Sequence, residues 1–245
     1  MTSFPAAAPR FHCPQRLAIG ATLALPDRAA QHVRVLRLDP GTEVTLFSGD
    51  GAQYAGELVD VGRRTVTVRI RTRSDTSLES PLAITLLQGL CSGERMDWIV
   101  QKATELGASA IQPFVAVRSQ GRLSDERQAR RLVHWRAVAA AACEQCGRNV
   151  VPEVHPLAEL DEVLARPRAG ISLLLSPQGE ASVASLLRSD AVSILVGPEG
   201  GLAPPERDAA IQAGFMALRF GPRILRTETA PLAVVAALQA RWGDC

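Results

Sequence analysis

Two stretches near the C-terminus hold the residues best suited to chemistry. Ile194-Leu195-Val196 runs into Gly197-Pro198-Glu199-Gly200-Gly201, and a second apolar segment runs into Phe220-Gly221-Pro222-Arg223-Ile224-Leu225-Arg226-Thr227-Glu228-Thr229-Ala230. Glycine removes the Cβ and proline fixes φ, so main-chain N–H and C=O groups of such loops can approach a ligand closely. The pair predicts a binding site made of backbone. No Lys-Ser or Lys-Thr follows the glycines, and the G-x-x-G-G spacing differs from the dinucleotide G-x-G-x-x-G, so a polyphosphate ligand is not expected. A plain strand-to-helix turn is the simpler account of Gly200-Gly201, but two such loops at strand ends argue against it.

Loops of this kind need strands to carry them. Ala83 to Gln88, Ala110 to Phe114, Ile171 to Leu175, Val192 to Val196 and Ala217 to Phe220 read as short strands. Between them Arg95 to Leu106 reads as a helix, with Met96, Ile99, Val100, Ala103 and Leu106 on one stripe and Gly107 placed to end it. Ser124 caps a long helix with Asp125 and Glu126 in its first turn and Gly147 just past its end, and shorter helices are expected near Ala181 to Leu187 and Pro205 to Ala213. The alternation predicts an α/β fold with a parallel sheet covered on both faces and a ligand site at the carboxyl ends of the strands. Ser176-Pro177-Gln178-Gly179 falls at another such end.

The first part of the chain has a different texture. Thr42 to Phe47 and Thr65 to Ile70 alternate polar and apolar residues between Gly- and Asp-rich turns, predicting a small β-barrel interrupted by a helical turn around Ala29 to Val35. Arg73 to Pro81 is polar, unpatterned and closed by proline, as a linker would be. The expected domains are therefore 1–75 and 76–245.

Composition narrows the partners. With 47% hydrophobic and 21% charged residues the chain is an ordinary globular one. No apolar run nears the roughly 18 residues of a membrane span and Met1 to Gly20 lacks the apolar core of a secretory leader, so a cytosolic protein with no membrane partner is expected. Cys143-x-x-Cys146 has no second ligand pair and lies in an alanine-rich helical pattern, which predicts buried thiols and no metal. A net charge of +2 does not announce a nucleic-acid partner, but its distribution points to one. The run Arg118, Arg122, Arg127, Arg130, Arg131, Arg136 and Arg148 outweighs Asp125, Glu126 and Glu144 by four charges. Solvated surface is the plainer account of these arginines.

Six segments in this order carry a family resemblance: Pro9-Arg10-Phe11, His32 to Arg37, Gly93-Glu94-Arg95-Met96-Asp97-Trp98 through Gly107, Glu144-Gln145-Cys146-Gly147-Arg148, Gly197 to Gly201, and Leu225 to Ala230. Together they resemble the SPOUT superfamily of S-adenosylmethionine-dependent RNA methyltransferases, nearly end to end. The resemblance implies an N-terminal PUA-like RNA-binding barrel, a catalytic domain with a deep trefoil knot, a homodimer, and methylation of uridine N3 in 16S rRNA, free or within the small ribosomal subunit. Ser92 departs from the pattern, which leads one to expect lysine before Gly93.

On that resemblance the S-adenosylmethionine site falls to Leu175 and Ser176 on one loop, Val196, Gly197, Glu199 and Gly200 on the next, and Phe220, Gly221, Ile224, Leu225 and Arg226 on the last. Uridine N3 must lose a proton to become nucleophilic. Glu199 and Glu228 are candidate bases, and Arg148 and Arg226 candidate stabilisers of charge on the uracil oxygens. Glu228 could equally cap the last helix. RNA contacts are expected from Arg10, Arg34 and Arg37, from Phe11 by stacking, and from Arg118, Gln145 and Arg148. Two other readings stay open: a non-catalytic RNA-binding assembly factor, and a relative with a different acceptor base.

Overall fold

The computed structural model describes residues 8–119 and 123–245 and divides the chain into two units. One comprises Met1–Glu79 with Cys143–Val151, the other Ser80–Ala142 with Pro152–Cys245. Arg122 of the arginine run lies outside the described residues.

The first unit holds β1 (Arg10–His12), β2 (Thr22–Ala24), helix α1 (Asp27–Val35), β3 (Glu43–Phe47), β4 (Gln53–Val61) and β5 (Val66–Ser74). They form a mixed sheet in the order β1-β3-β4-β5-β2, in which β1 and β3 run parallel and the other pairs antiparallel. Alternate residues of β4 and β5 are buried, as strands with one wet face require: Tyr54, Leu58, Val66, Val68 and Ile70 point inward. Ala29, Ala30 and Val33 of α1 pack into the same core. Helix α1 is nine residues long, more than the expected single turn, because Pro26 starts it and the Ala29/Ala30/Val33 spacing gives it a buried stripe.

The second unit is built on β6 (Ala83–Gly89), α2 (Gly93–Glu105), β7 (Ala110–Val115), α3 (Asp125–Cys146, its last turn counted with the first unit), β8 (Glu153–Val154), β9 (Ala158–Glu159), α4 (Leu160–Ala165), β10 (Ile171–Leu175), β11 (Ala191–Val196), α5 (Pro204–Gln212), β12 (Met216–Leu218) and α6 (Thr229–Trp242). Its sheet order is β12-β10-β11-β6-β7-β8, with β9 also on β7, and every pairing is parallel. Near-continuous burial along β6 and β11 follows from helices covering both faces. Met96, Ile99, Val100 and Ala103 are the buried stripe of α2, and Gly107, at φ 83°, ends the turn after it. The helix expected over Ala181 to Leu187 is only a 3-10 turn, Val183–Ser185. There Ser185 Oγ donates to the Ser182 carbonyl and accepts from the Ser182 amide, which competes with helical bonding, and Leu187 is exposed.

Among the described residues no cluster of ligands could hold a metal, no helix is long and apolar enough to cross a membrane, and all five cysteines are free thiols. Cys143 is buried, as its helical context predicts, but Cys146, in the last turn of α3, is only half-buried.

Candidate cofactor and active site

A cavity of about 550 Å³ opens at the carboxyl ends of β10, β11 and β12. Three loops wall it: Ser176-Pro177-Gln178 after β10, Gly197-Pro198-Glu199 after β11, and 219–228 after β12. Leu174, Leu175, Val196, Leu202, Leu218 and Phe220 supply apolar surface. A volume of this size, with apolar surface beside charged and polar groups, is that of a small-molecule site.

Close packing fixes the loops. A Cβ on Gly89, at the end of β6, would stand 2.5 Å from the Pro198 nitrogen and 2.6 Å from its Cδ, so only glycine lets the β11 loop lie against β6. The Thr227 hydroxyl donates to the Gly197 carbonyl at 2.8 Å and accepts from Gln88 Nε2 at 3.2 Å, tying the third loop to β11 and β6 at once. Ser176 N–H donates to the Leu218 carbonyl at 2.9 Å, which joins the first loop to β12. Glu206 accepts from the Val117 and Ala203 amides, both at 2.7 Å, and so holds the loop after β7 to the first turn of α5.

The charged core of the site is Arg95, from the first turn of α2, between two carboxylates. Its Nη1 donates to Glu199 Oε1 at 2.8 Å and its Nε lies 3.6 Å from Glu228 Oε2. Glu199 Oε1 also accepts from the Ser92 amide at 2.9 Å. Burial pushes the Glu199 carboxyl up, but the Ser92 and Glu199 amides and the Arg95 guanidinium outweigh it and hold the group below the ordinary glutamate value. Glu199 is thus a fixed anion and a poor proton acceptor. Oε2 of Glu199 and Oε2 of Glu228 are buried and take no hydrogen bond. Such oxygens are costly unless a ligand supplies donors. Cys91 lies in their field; burial first, then the two carboxylates, push its thiol up to about 12.

Most of the expected cofactor residues line this cavity: Leu175, Ser176, Val196, Gly197, Glu199, Phe220, Ile224, Leu225 and Arg226, together with Glu228 and Arg118. Gly200 and Gly221 do not. A Cβ on Gly200 would meet Arg118 Cβ at 3.0 Å, so that glycine makes room for Arg118, whose Nη1 donates to the Gly200 carbonyl at 3.0 Å. Gly221, at φ 72° with open space around its missing Cβ, serves the turn. Arg95, Gln178, Arg207 and Thr227 line the cavity unforeseen. Ser92, where lysine was expected, acts through its backbone amide, for which any non-proline residue would do.

The other expected residues stand in the first unit, and several are unavailable. Phe11 is fully buried against His32 and cannot stack on a base. Arg10 donates to the Gly147 and Arg148 carbonyls, Asn149 Oδ1 and Gln53 Oε1, and burial lowers its pKa. Arg148 is buried, with Nε and Nη2 on Glu79 Oε2 at 2.9 and 2.6 Å, so it is neither a free phosphate contact nor part of the cavity. Arg34 donates to the Gly62 carbonyl at 3.1 Å. Arg37, at φ 54°, and Gln145 are exposed and remain open to solvent.

This architecture agrees with what the chain matches among known proteins. Residues 78–239 match the RNA methyltransferase domain family and residues 25–71 the RNA methyltransferase PUA domain family, which together define a SPOUT-type RNA methyltransferase with an appended PUA domain. Ribosomal RNA small subunit methyltransferase E of Bacillus subtilis (strain 168) is 33% identical over 235 residues, 91% of this chain and 92% of that protein. The crystal structure of a ribosomal RNA small subunit methyltransferase E from Neisseria gonorrhoeae bound to S-adenosyl methionine is 41% identical with a TM-score of 0.91, covering 97% and 99% of the two chains. A putative methyltransferase from Legionella pneumophila, in complex with the bound cofactor S-adenosylmethionine, superimposes with a TM-score of 0.95 at 35% identity over 98% of this chain and 100% of the other. The chain belongs to the ribosomal RNA small subunit methyltransferase E family.

Proposed function

We propose that the second unit binds S-adenosylmethionine in the cavity and methylates N3 of a uridine in 16S rRNA. The observation that carries this reading is a preformed cavity at three parallel strand ends, whose wall combines apolar residues of three loops with the carboxylate residues Glu199 and Glu228. A ligand that joins a nucleoside to an ammonium-bearing amino acid suits that combination. The solved relatives that hold this cofactor support the choice.

The cofactor brings an activated methyl group, so the protein's task is to bind, orient and manage one proton. Leu175, Val196, Phe220, Ile224 and Leu225 would pack the apolar part of the ligand while main-chain groups of the three loops read its polar edge. Glu199, pinned by Ser92 and Arg95, serves as a fixed acceptor. Glu228 is the group we assign to the N3 proton, because it lines the same cavity and, unlike Glu199, is not pinned by short hydrogen bonds from Ser92 and Arg95. Arg226, exposed at the mouth, is placed to balance charge on the uracil oxygens. Rigid loops hold the reacting groups in line, which supplies most of the acceleration in such transfers.

The first unit, as a PUA domain, would hold flanking RNA through exposed groups such as Arg37. Residues 1–75 and 76–245 would then divide RNA holding from catalysis. By family resemblance the working form is a homodimer, and the substrate is 16S rRNA or the small subunit. The test is transfer of radiolabelled methyl from S-adenosylmethionine to 16S rRNA lacking the modification, with nucleoside analysis of the product. 3-Methyluridine supports the reading; another methylated base, or none from a folded, cofactor-binding protein, rejects it.

A further inference from the structure

The loop between β12 and α6 carries Arg219, Arg223 and Arg226, all exposed and all on the wall of the cavity. Among the described residues none of the three side chains has a hydrogen-bond or ion-pair partner. Several other arginines are engaged: Arg95, Arg130 and Arg148 on carboxylates, Arg136, Arg168 and Arg241 on carbonyls. Residues 219–227 contain no acid, and Glu228, which follows, faces Arg95. Gly221 at φ 72° and Pro222 hold the backbone of the loop in a fixed turn between Arg219 and Arg223. The loop thus presents three like charges within eight residues.

Resting on the reading of this chain as an RNA methyltransferase, we infer that the 219–226 loop is a phosphate-contacting edge: Arg219 and Arg223 take phosphodiesters of a single RNA strand flanking the base that enters the cavity, while Arg226 stays with the base itself. Guanidinium groups pair with phosphate through a rigid fork, and two of them four residues apart on one loop suit neighbouring phosphates better than a lone small anion. Arg118 and Arg207, on the same cavity but already bonded to the Gly200 carbonyl and to Gln178, add charge on its other walls.

The experiment measures binding of a short fluorescein-labelled single-stranded RNA across salt concentration. Each phosphate contact on a single strand contributes roughly 0.7 to the slope of log affinity against log salt, so Arg219→Gln with Arg223→Gln should lower the slope by about 1.4. Between about 50 and 200 mM salt the wild-type protein should then lose about sevenfold more affinity than the variant. Arg219→Lys with Arg223→Lys should restore the slope. Arg127→Gln with Arg131→Gln removes the same charge from α3 and should leave it unchanged. A slope equal in the loop variant and the wild type, or lowered equally by the α3 variant, overturns the inference. Circular dichroism and urea unfolding, neither of which depends on the cavity, confirm that each variant is folded. Failure of the methylation assay with a normal salt slope would reject the catalytic reading alone.

Discussion

Replacing Arg95 by methionine should destabilise the protein in a way that depends on pH. The substitution keeps most of the side-chain volume and removes the cation between Glu199 and Glu228. The lost hydrogen bond to Glu199 Oε1, 2.8 Å long, is charge-assisted, and such bonds contribute about 1.5 to 3 kcal/mol. Arg95 is 36% exposed, so solvent screening brings the expected loss to about 1 to 2 kcal/mol at neutral pH. Glu199 has a depressed pKa in the folded wild-type protein. Its contribution is therefore complete above the unfolded glutamate value, near 4.5, and is lost only as pH falls below that. In the variant two carboxylates share a site without their cation, and falling pH, which disfavours the charged form of carboxylates, relieves the repulsion. Urea unfolding followed by tryptophan fluorescence at pH 5, 6, 7 and 8 should show a stability gap that is widest at pH 7 to 8 and narrows towards pH 5. A gap constant across that range would refute the assignment of Arg95 as the shared counter-ion. Arg95→Lys should recover most of the neutral-pH loss.

Other outcomes follow from the same geometry. Gly89→Ala puts a methyl within 2.5 Å of Pro198, and calorimetry should show S-adenosylmethionine affinity lowered at least tenfold, whereas Gly221→Ala, with open space around it, should cost about 1 kcal/mol of stability from its positive φ. Thr227→Val keeps the shape and strips the bonds to Gly197 and Gln88, for an expected loss of about 1 to 3 kcal/mol in thermal or urea unfolding that Thr227→Ser largely avoids. Phe11→Ala should destabilise by about 3 to 5 kcal/mol as a cavity in the core while leaving the RNA affinity of the folded fraction unchanged; an affinity loss in folded protein would restore the stacking role.

Legibility in the sequence divides along physical lines. The stripe of α2, the strands and the two Gly-Pro loops were readable because each depends on neighbours a few residues away. The cavity followed, since parallel strands place their loops at one end. Arg95 was not readable as its centre, for Glu199 lies 104 residues from it and no local pattern joins them. The same limit hid the fate of Arg10 and Phe11. Their motif looked like a surface for RNA, yet Phe11 fills the core and Arg10 is consumed by carbonyls 137 and 138 residues away. Arginine composition shows charge, and only tertiary partners show which charges are spent. Ser182 and Ser185 illustrate a smaller failure, where one hydroxyl, Ser185 Oγ, bonds both the amide and the carbonyl of Ser182 and breaks an otherwise helical pattern.

The membership of Cys143–Val151 in the first unit bears on how the chain is made. Arg10 finds its carbonyl acceptors, and Glu79 its guanidinium, only in that segment. Translation reaches Val151 72 residues after Glu79, an interval of about 4 to 14 s at ordinary elongation rates. Through that interval Arg10 keeps only Gln53 as a partner from the sheet, and Glu79 has water in place of its guanidinium. The N-terminal sheet is therefore not an independent first product of synthesis, and its last native contacts are made by a piece of chain that leaves the ribosome in the midst of the following unit.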